Sequence, residues 1–332
     1  MKLADLTPTE LLAVNQPEQL FPSDPAEMRK KFISLSMVWH PDKPGGRSDV
    51  FAKIASLYKS AEQKVKENKW NGACRTDFNL SDGSTLTVNV LKGADFVLGR
   101  QYITDHELLH VLEPSNRKYV NHAHKIPFSF ASDRMRDECE RYLPGGFVAT
   151  TPLLDGRIFL SQPKTPDLIR LSDVVEFYGG KLEPRSGAWV VSSLMNLCCY
   201  LEYAKIVHGD ISPDTYFISP AHHSGALLGG WWYYRREGQR VGPLPRRTID
   251  VIPYQVRVTR EAVSYIDHES VRLIGRECID MAAAPAPVRD WLTSIAKGSA
   301  QDQYTSWMKA VDEGFGKRRF VKMDVTAAEV YK

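Results

Sequence analysis

The 332-residue sequence predicts a multidomain chain: a small all-α unit built on an antiparallel helical hairpin, then a larger α+β unit whose strands precede its main helices. Three observations carry this. Apolar residues recur at three- and four-residue steps on both sides of "MVWHPDKPGG", residues 37–46. The stretch "ITDHELLHVLEPSNRKYVNHAHKI" reads as two strands around the turn "EPSNRK". The long apolar segment "AWVVSSLMNLCCYLEYA" then predicts a buried helix from Trp189 to Ala204. A chain this long is expected to split into more than one core.

The first unit is assigned to residues 1–68. A short helix is expected at "TPTELLAV". In "SDPAEMRKKFISLSMVW", Asp24 can cap, Pro25 suits the first helical position and Glu27 completes a capping box. Met28, Phe32, Leu35 and Val38 make an apolar face, while Arg29, Lys30 and Lys31 leave a positive surface. The helix must stop near Trp39, because Pro41 pushes His40 out of the α region and Gly45-Gly46 make a flexible turn. "RSDVFAKIASLYKSAEQKV" repeats the period through Phe51, Ile54, Tyr58, Ala61 and Val65, so a second helix folds back on the first. His40, Pro41 and Asp42 are thereby left exposed at the tip. Residues 69–78 lose the period and read as a linker.

Composition narrows the function classes. With 43% hydrophobic and 25% charged residues the chain is globular rather than disordered. A net charge of +3 argues against a whole-chain nucleic-acid binder, although "MRKKF" and "GKRRF" remain local basic clusters. Five cysteines without C-x-x-C spacing argue against a disulfide framework and a zinc ribbon, and place the chain in a reducing cytoplasm. The amino terminus shows no signal peptide, and the longest apolar run, broken by Ser192, Ser193 and Asn196, is too short to span a membrane.

His106-Glu107-x-x-His110 matches a zinc-protease pattern, in which the two histidines share a helix face and Glu107 activates the bound water. Pro114 and the strand reading of this segment oppose that geometry, and a third ligand would have to come from Glu138 or Glu140. No metal is expected.

The leading short helix, the basic helix, His40-Pro41-Asp42 and the following helix together resemble the J domain of the DnaJ family of co-chaperones, over about residues 5–66. That resemblance implies that Arg29, Lys30, Lys31, His40, Pro41 and Asp42 dock on a DnaK-type chaperone and stimulate its ATP hydrolysis. The chain has no glycine/phenylalanine-rich linker and no zinc-binding cysteine repeats, so an unknown protein client is expected to bind through residues 79–332.

The order of motifs in the remainder resembles a bilobal protein kinase fold, with a mostly β lobe at 79–165 and a mostly α lobe at 166–332. "HGDISPDTY" stands where the catalytic loop H-R-D-L-K-P-x-N would be. The resemblance implies a nucleotide-pairing role for Lys125 on a third strand, with Glu138 or Glu140 as its helical partner, and the catalytic-loop position for Asp210. The metal-binding positions carry Thr215 and Gly230, and "VLKGADFVLG" is a poor nucleotide-covering loop. The whole arrangement resembles bacterial and phage DnaJ-like proteins in which a J domain is fused to a kinase-like domain.

The sequence-based expectation is therefore a cytoplasmic co-chaperone that recruits a DnaK-type ATPase, with a catalytically degenerate kinase-like domain as client-binding or scaffold module. It is expected to be no enzyme and to need no cofactor, with weak ATP binding allowed at Lys125 and no membrane or nucleic-acid partner. The alternatives are an active atypical kinase using Asp210, a zinc hydrolase using His106, Glu107 and His110, and an assembly protein whose J domain no longer works.

Overall fold

The computed structural model describes residues 7–14, 17–22, 25–43, 45–66, 74–316 and 322–331. The chain divides into two compact units, Met1–Phe78 with Thr85–Gly93 and Tyr331–Lys332, and Asn79–Ser84 with Ala94–Val330. Asp24, read as a helix cap, and the basic cluster around residues 317–320 fall outside the described residues.

In the first unit, α1 (Pro8–Ala13) packs on α3 (Ser48–Lys66), and α2 (Pro25–Trp39) runs beside α3. Met28 and Leu35 of α2 are seven residues apart, and Val50, Ile54, Leu57 and Ala61 of α3 follow the four- and three-residue step. All six are buried together with Leu11, Leu20 and Phe21. Phe32 stacks on Tyr58 at 4.1 Å between ring centroids, which locks the two helices in register. Val38, assigned to the apolar face, is instead 47% exposed, as are Ile33 at 48% and Met37 at 69%. The buried stripe is narrower than the apolar pattern.

The turn after α2 explains its two glycines. Gly45 has φ +82°, and a Cβ on Gly46 would lie 1.9 Å from the His40 carbonyl oxygen. The backbone N–H of Lys43 donates to the His40 carbonyl and that of Arg47 to the Trp39 carbonyl. His40 rests edge-on against Phe51 at 5.0 Å, and its Nδ1 accepts from the Asp42 N–H at 3.3 Å. The tip is thus a tied loop with Pro41 and Asp42 exposed.

Residues 74–78, assigned to the linker, belong to β1 (Cys74–Asn79), which pairs with β2 (Thr85–Val90) as a hairpin. "CRTDFN" alternates too weakly for its period to show, and the strand is supported by a cross-strand bond from Thr87 Oγ1 to Asp77 Oδ1.

A five-stranded sheet, in the second unit from Ala94 onward, is formed by β3 (Lys92–Phe96), β4 (Gly99–Ile103), β5 (Glu107–Leu112), β6 (Ala149–Pro152) and β7 (Ile158–Pro163), in the order β3-β4-β5-β7-β6. Between β5 and β6 the chain forms α4 (Arg117–Ala123) and α5 (Asp133–Glu140). The second of the two expected strands is therefore a helix: Val120 and Ala123, three residues apart, are its buried positions. After β7, Lys164 is 7% exposed and its Nζ donates to the carbonyls of Asp105, Thr165 and Leu168; burial lowers its pKa to about 8.

The helical part contains β8 (Ile169–Arg170), α6 (Leu171–Phe177), α7 (Pro184–Tyr203), β9 (Ile206–Val207), β10 (Tyr216–Ser219), β11 (Ser224–Leu227), β12 (Arg235–Arg236), α8 (Arg246–Val251), α9 (Tyr254–Thr259), α10 (Tyr265–Cys278), α11 (Ala286–Thr293), α12 (Ala300–Phe315) and α13 (Ala327–Val330). Helix α7 is its axis, packed against α10 and α12. Its Glu183 cap accepts from the N–H groups of Arg185 and Ser186, and Ser192 accepts from the indole of the fully buried Trp307. Among the described residues no helix is long and apolar enough to cross a membrane.

Candidate functional site

The loop between β9 and β10, His208 to Thr215, is held from below and from both sides. Asp267 on α10 accepts two backbone N–H bonds, His208 to Oδ2 at 2.7 Å and Gly209 to Oδ1 at 2.8 Å. Thr248 donates to the Gly209 carbonyl, and Arg247 donates to the Ile211 carbonyl while pairing with Glu277 at 2.5 Å. Thr215 closes the turn: its hydroxyl donates to the Asp210 carbonyl at 2.7 Å and accepts from the Ser212 N–H at 2.9 Å. Its own carbonyl accepts from Leu228 and Gly229.

His208 is wholly buried. Its Nδ1 accepts from the Asp210 N–H, which leaves Nε2 to carry the proton and donate to the Gly229 carbonyl at 3.0 Å. Burial pulls its pKa down to about 3, so the ring stays neutral. Trp231 packs edge-on against it at 4.5 Å. Gly230, with φ +82°, passes so close that a Cβ would lie 2.6 Å from His208 Cε1 and 2.9 Å from the Asp210 carbonyl oxygen. No larger side chain enters there without moving the loop.

Asp210 is half-buried, and its carboxylate accepts no hydrogen bond among the described residues. Desolvation raises its pKa well above the ordinary carboxylate range. Arg247 works against that rise, and the carboxylates of Asp214 and Asp267 add to it. A carboxyl desolvated in this way holds its proton more tightly than an exposed one, and groups so perturbed cluster at functional sites.

The segment from Trp231 to Tyr234 packs against the five-stranded sheet through its aromatic side chains. Trp232 stacks on Phe147 at 5.6 Å and on Phe96 at 6.4 Å, and His110 meets its edge at 5.1 Å. Leu98, Leu112 and Leu160 complete this core.

Other expected site residues are placed differently. Lys125 lies in the turn after α4, not on a strand. It is exposed, its carbonyl accepts from the Tyr234 hydroxyl, and among the described residues no ion pair joins it to Glu138 or Glu140. The third strand of this sheet in chain order is β5 (Glu107–Leu112), which carries no lysine. Glu138 and Glu140 are exposed on α5; Glu138 pairs with Arg134 at 2.9 Å and borders a cavity of about 490 Å³ that also takes in Cys139, Tyr142, Cys199 and Tyr200.

His106 sits in the turn before β5 and His110 inside the strand, so the two do not share a helix face, and Glu107 accepts from the Ser161 hydroxyl. Among the described residues no group of three or more His, Cys, Asp or Glu side chains could hold a metal ion.

Asp267 was missed by sequence reasoning, although a signal existed. Asp267, Val271, Ile274 and Cys278 lie on the four- and three-residue step, so the acid stands in the apolar stripe of its own helix.

No protein-family model matches this sequence, and none of the curated proteins matches it. Solved structures do. The BubR1 kinase domain matches with a TM-score of 0.50 and 12% identity, over 78% of this chain and 92% of that one. The Mycobacterium tuberculosis PknI kinase domain matches with a TM-score of 0.42 and 12% identity, and a double mutant of that domain with 0.45 and 13%; each covers 67% of this chain and 95% of the other. The likeness to BubR1 at 12% identity is one of fold. It corrects the expectation that the chain is no enzyme: the structural neighbours are protein kinase domains, and the finding points to a kinase-fold protein whose activity is a matter for assay. The mixed α+β architecture of the chain includes a kinase-like bilobal fold.

Proposed function

We propose that the chain recruits a DnaK-type ATPase through the tip of its helical hairpin and brings to it the kinase-fold unit, which binds a protein client. The observation that carries this reading is the tied turn at His40-Pro41-Asp42, exposed at the end of a helix whose outer face carries Arg29 and Lys30. Such a tip presents its groups with little ordering cost, and the cations near the other end of the same helix, of which Lys30 is paired with Glu27, add a long-range attraction for an acidic partner. The test is a biosensor measurement of the full chain on an immobilised DnaK-type chaperone. The association rate should fall as salt rises from 50 to 300 mM (the Debye length shortening about 2.4-fold), and Arg29→Glu with Lys30→Glu should slow it about tenfold or more at low salt. Unchanged rates in that variant contradict the reading.

A second reading is favoured by the fold likeness, which speaks for it more than for the first: the second unit is an atypical protein kinase using Asp210. The position of Asp210 in the held loop after His208, with a carboxylate that accepts no hydrogen bond among the described residues, supports a role as the proton acceptor for a substrate hydroxyl. Radiolabel transfer from ATP to a protein substrate, abolished in Asp210→Asn and retained in His40→Gln, is the expected result on this reading. No transfer by folded wild-type protein under any condition removes it.

A further inference from the structure

One face of the five-stranded sheet is short of hydrogen-bond partners. Gln101 on β4 stands directly opposite His110 on β5, and His110 stands opposite Leu160 on β7. Gln162, two residues beyond Leu160, therefore projects to the same face. The three polar residues are 7%, 2% and 1% exposed. Among the described residues, Gln101 Nε2, His110 Nδ1 and Gln162 Nε2 have no hydrogen-bond partner. Folded proteins leave few such groups unpaired, and of the three Gln162 is the one that lines a cavity able to hold a partner for it.

What that is follows from the surroundings. The rings of Trp232, Phe96 and Phe147 cover His110, at centroid distances of 5.1, 5.7 and 6.4 Å. Beside Gln162 the aromatic cover opens into a cavity of about 170 Å³, lined also by Phe147, Trp231, Phe128, Ile126 and His124. A cavity of roughly 150 Å³ holds one benzene ring. No Asp, Glu, Lys or Arg lines this one. A charged group would lose its hydration there with nothing to replace it, so a phosphate-bearing ligand is unsuited.

We propose that this cavity binds a small neutral aromatic molecule of one ring bearing a carbonyl oxygen, the ring lying against Phe147 and Trp231 and the carbonyl accepting from Gln162 Nε2. The proposal stands independently of both functional readings above.

The probes are benzamide, which has ring and carbonyl, and toluene, which has only the ring. Each is titrated into the full chain and followed by ligand-observed NMR, for wild type, for Gln162→Met, which keeps the volume and removes the donor, and for Ala123→Leu, which fills a lining position. Wild type should bind benzamide at least about tenfold more tightly than toluene, Gln162→Met should lose that preference, and Ala123→Leu should lose both ligands. The urea midpoint of Gln162→Met should equal or exceed that of wild type, because an unpaired buried donor has been removed. Absence of benzamide binding at millimolar concentration, equal binding of the two probes by wild type, or a preference retained in Gln162→Met would each overturn the proposal, the last marking an adventitious additive only.

Discussion

At the scale of the residue, two positions carry much of the local order. Gly46 is dictated by the His40 carbonyl, which a Cβ would meet at 1.9 Å. Gly46→Ala is expected to cost at least ~1–3 kcal/mol by forcing the turn open, read as a lowered urea midpoint of the hairpin unit by circular dichroism. Asp267 carries two backbone N–H groups of the loop that holds Asp210. Asp267→Ala leaves both donors buried and unpaired and is expected to destabilise by ~2–5 kcal/mol, whereas Asp267→Asn, which keeps one acceptor oxygen, should lose less. Equal urea midpoints for wild type and Asp267→Ala would show that the loop does not depend on this carboxylate.

Elements differ in how far the sequence reveals them. Helices α2 and α3 are legible because Met28, Leu35, Val50, Ile54 and Ala61 make a purely local pattern, and the turn between them is written in proline and glycine. Helix α7 is legible for the same reason. Helix α4 is not: "RKYVNHA" is seven residues long, and only its place over the sheet decides that Val120 and Ala123 face inward as a helix. Strand β1 fails differently, since its partner β2 supplies the stabilisation that its own residues do not advertise. A mixed α+β, kinase-like fold could be read, whereas the position of Lys125 could not, because it depended on the strand that is α4. Asp267 shows the remaining gap, as a carboxylate in an apolar stripe has meaning only when the loop it holds is known.

The sheet and the loop also hold buried titratable groups that give the second unit a pH dependence. Burial pulls His110 on β5 and His208 before β10 down to about 3, from an unfolded value near 6.5. Each therefore stabilises the fold fully above pH 6.5, and that contribution is lost as pH falls toward about 3, because the unfolded chain binds the proton first. Asp267 has the opposite sign: burial lifts it to about 7, so its contribution is present below about pH 4 and lost as pH rises through about 7. The unambiguous test is a difference. His110→Leu, which fills the same site without a titrating group, should show a flatter fall of urea midpoint between pH 6.5 and 4 than wild type. Parallel pH curves would mean that His110 is not held neutral in the fold.

At the scale of the whole molecule, the account joins a helical hairpin with a tied, exposed tip to a kinase-fold unit that holds a perturbed aspartate. These two parts are predicted to be separable in function. His40→Gln changes a half-exposed tip residue and should leave stability within about 0.5 kcal/mol of wild type, and Asp210→Asn should leave the hairpin untouched. The most direct measurement is the single-turnover rate of ATP hydrolysis by a DnaK-type chaperone with wild-type protein, His40→Gln and Asp210→Asn. The account predicts acceleration by wild type and by Asp210→Asn and none by His40→Gln. Equal rates with wild type and His40→Gln, whether both accelerated or both at the basal value, would contradict it.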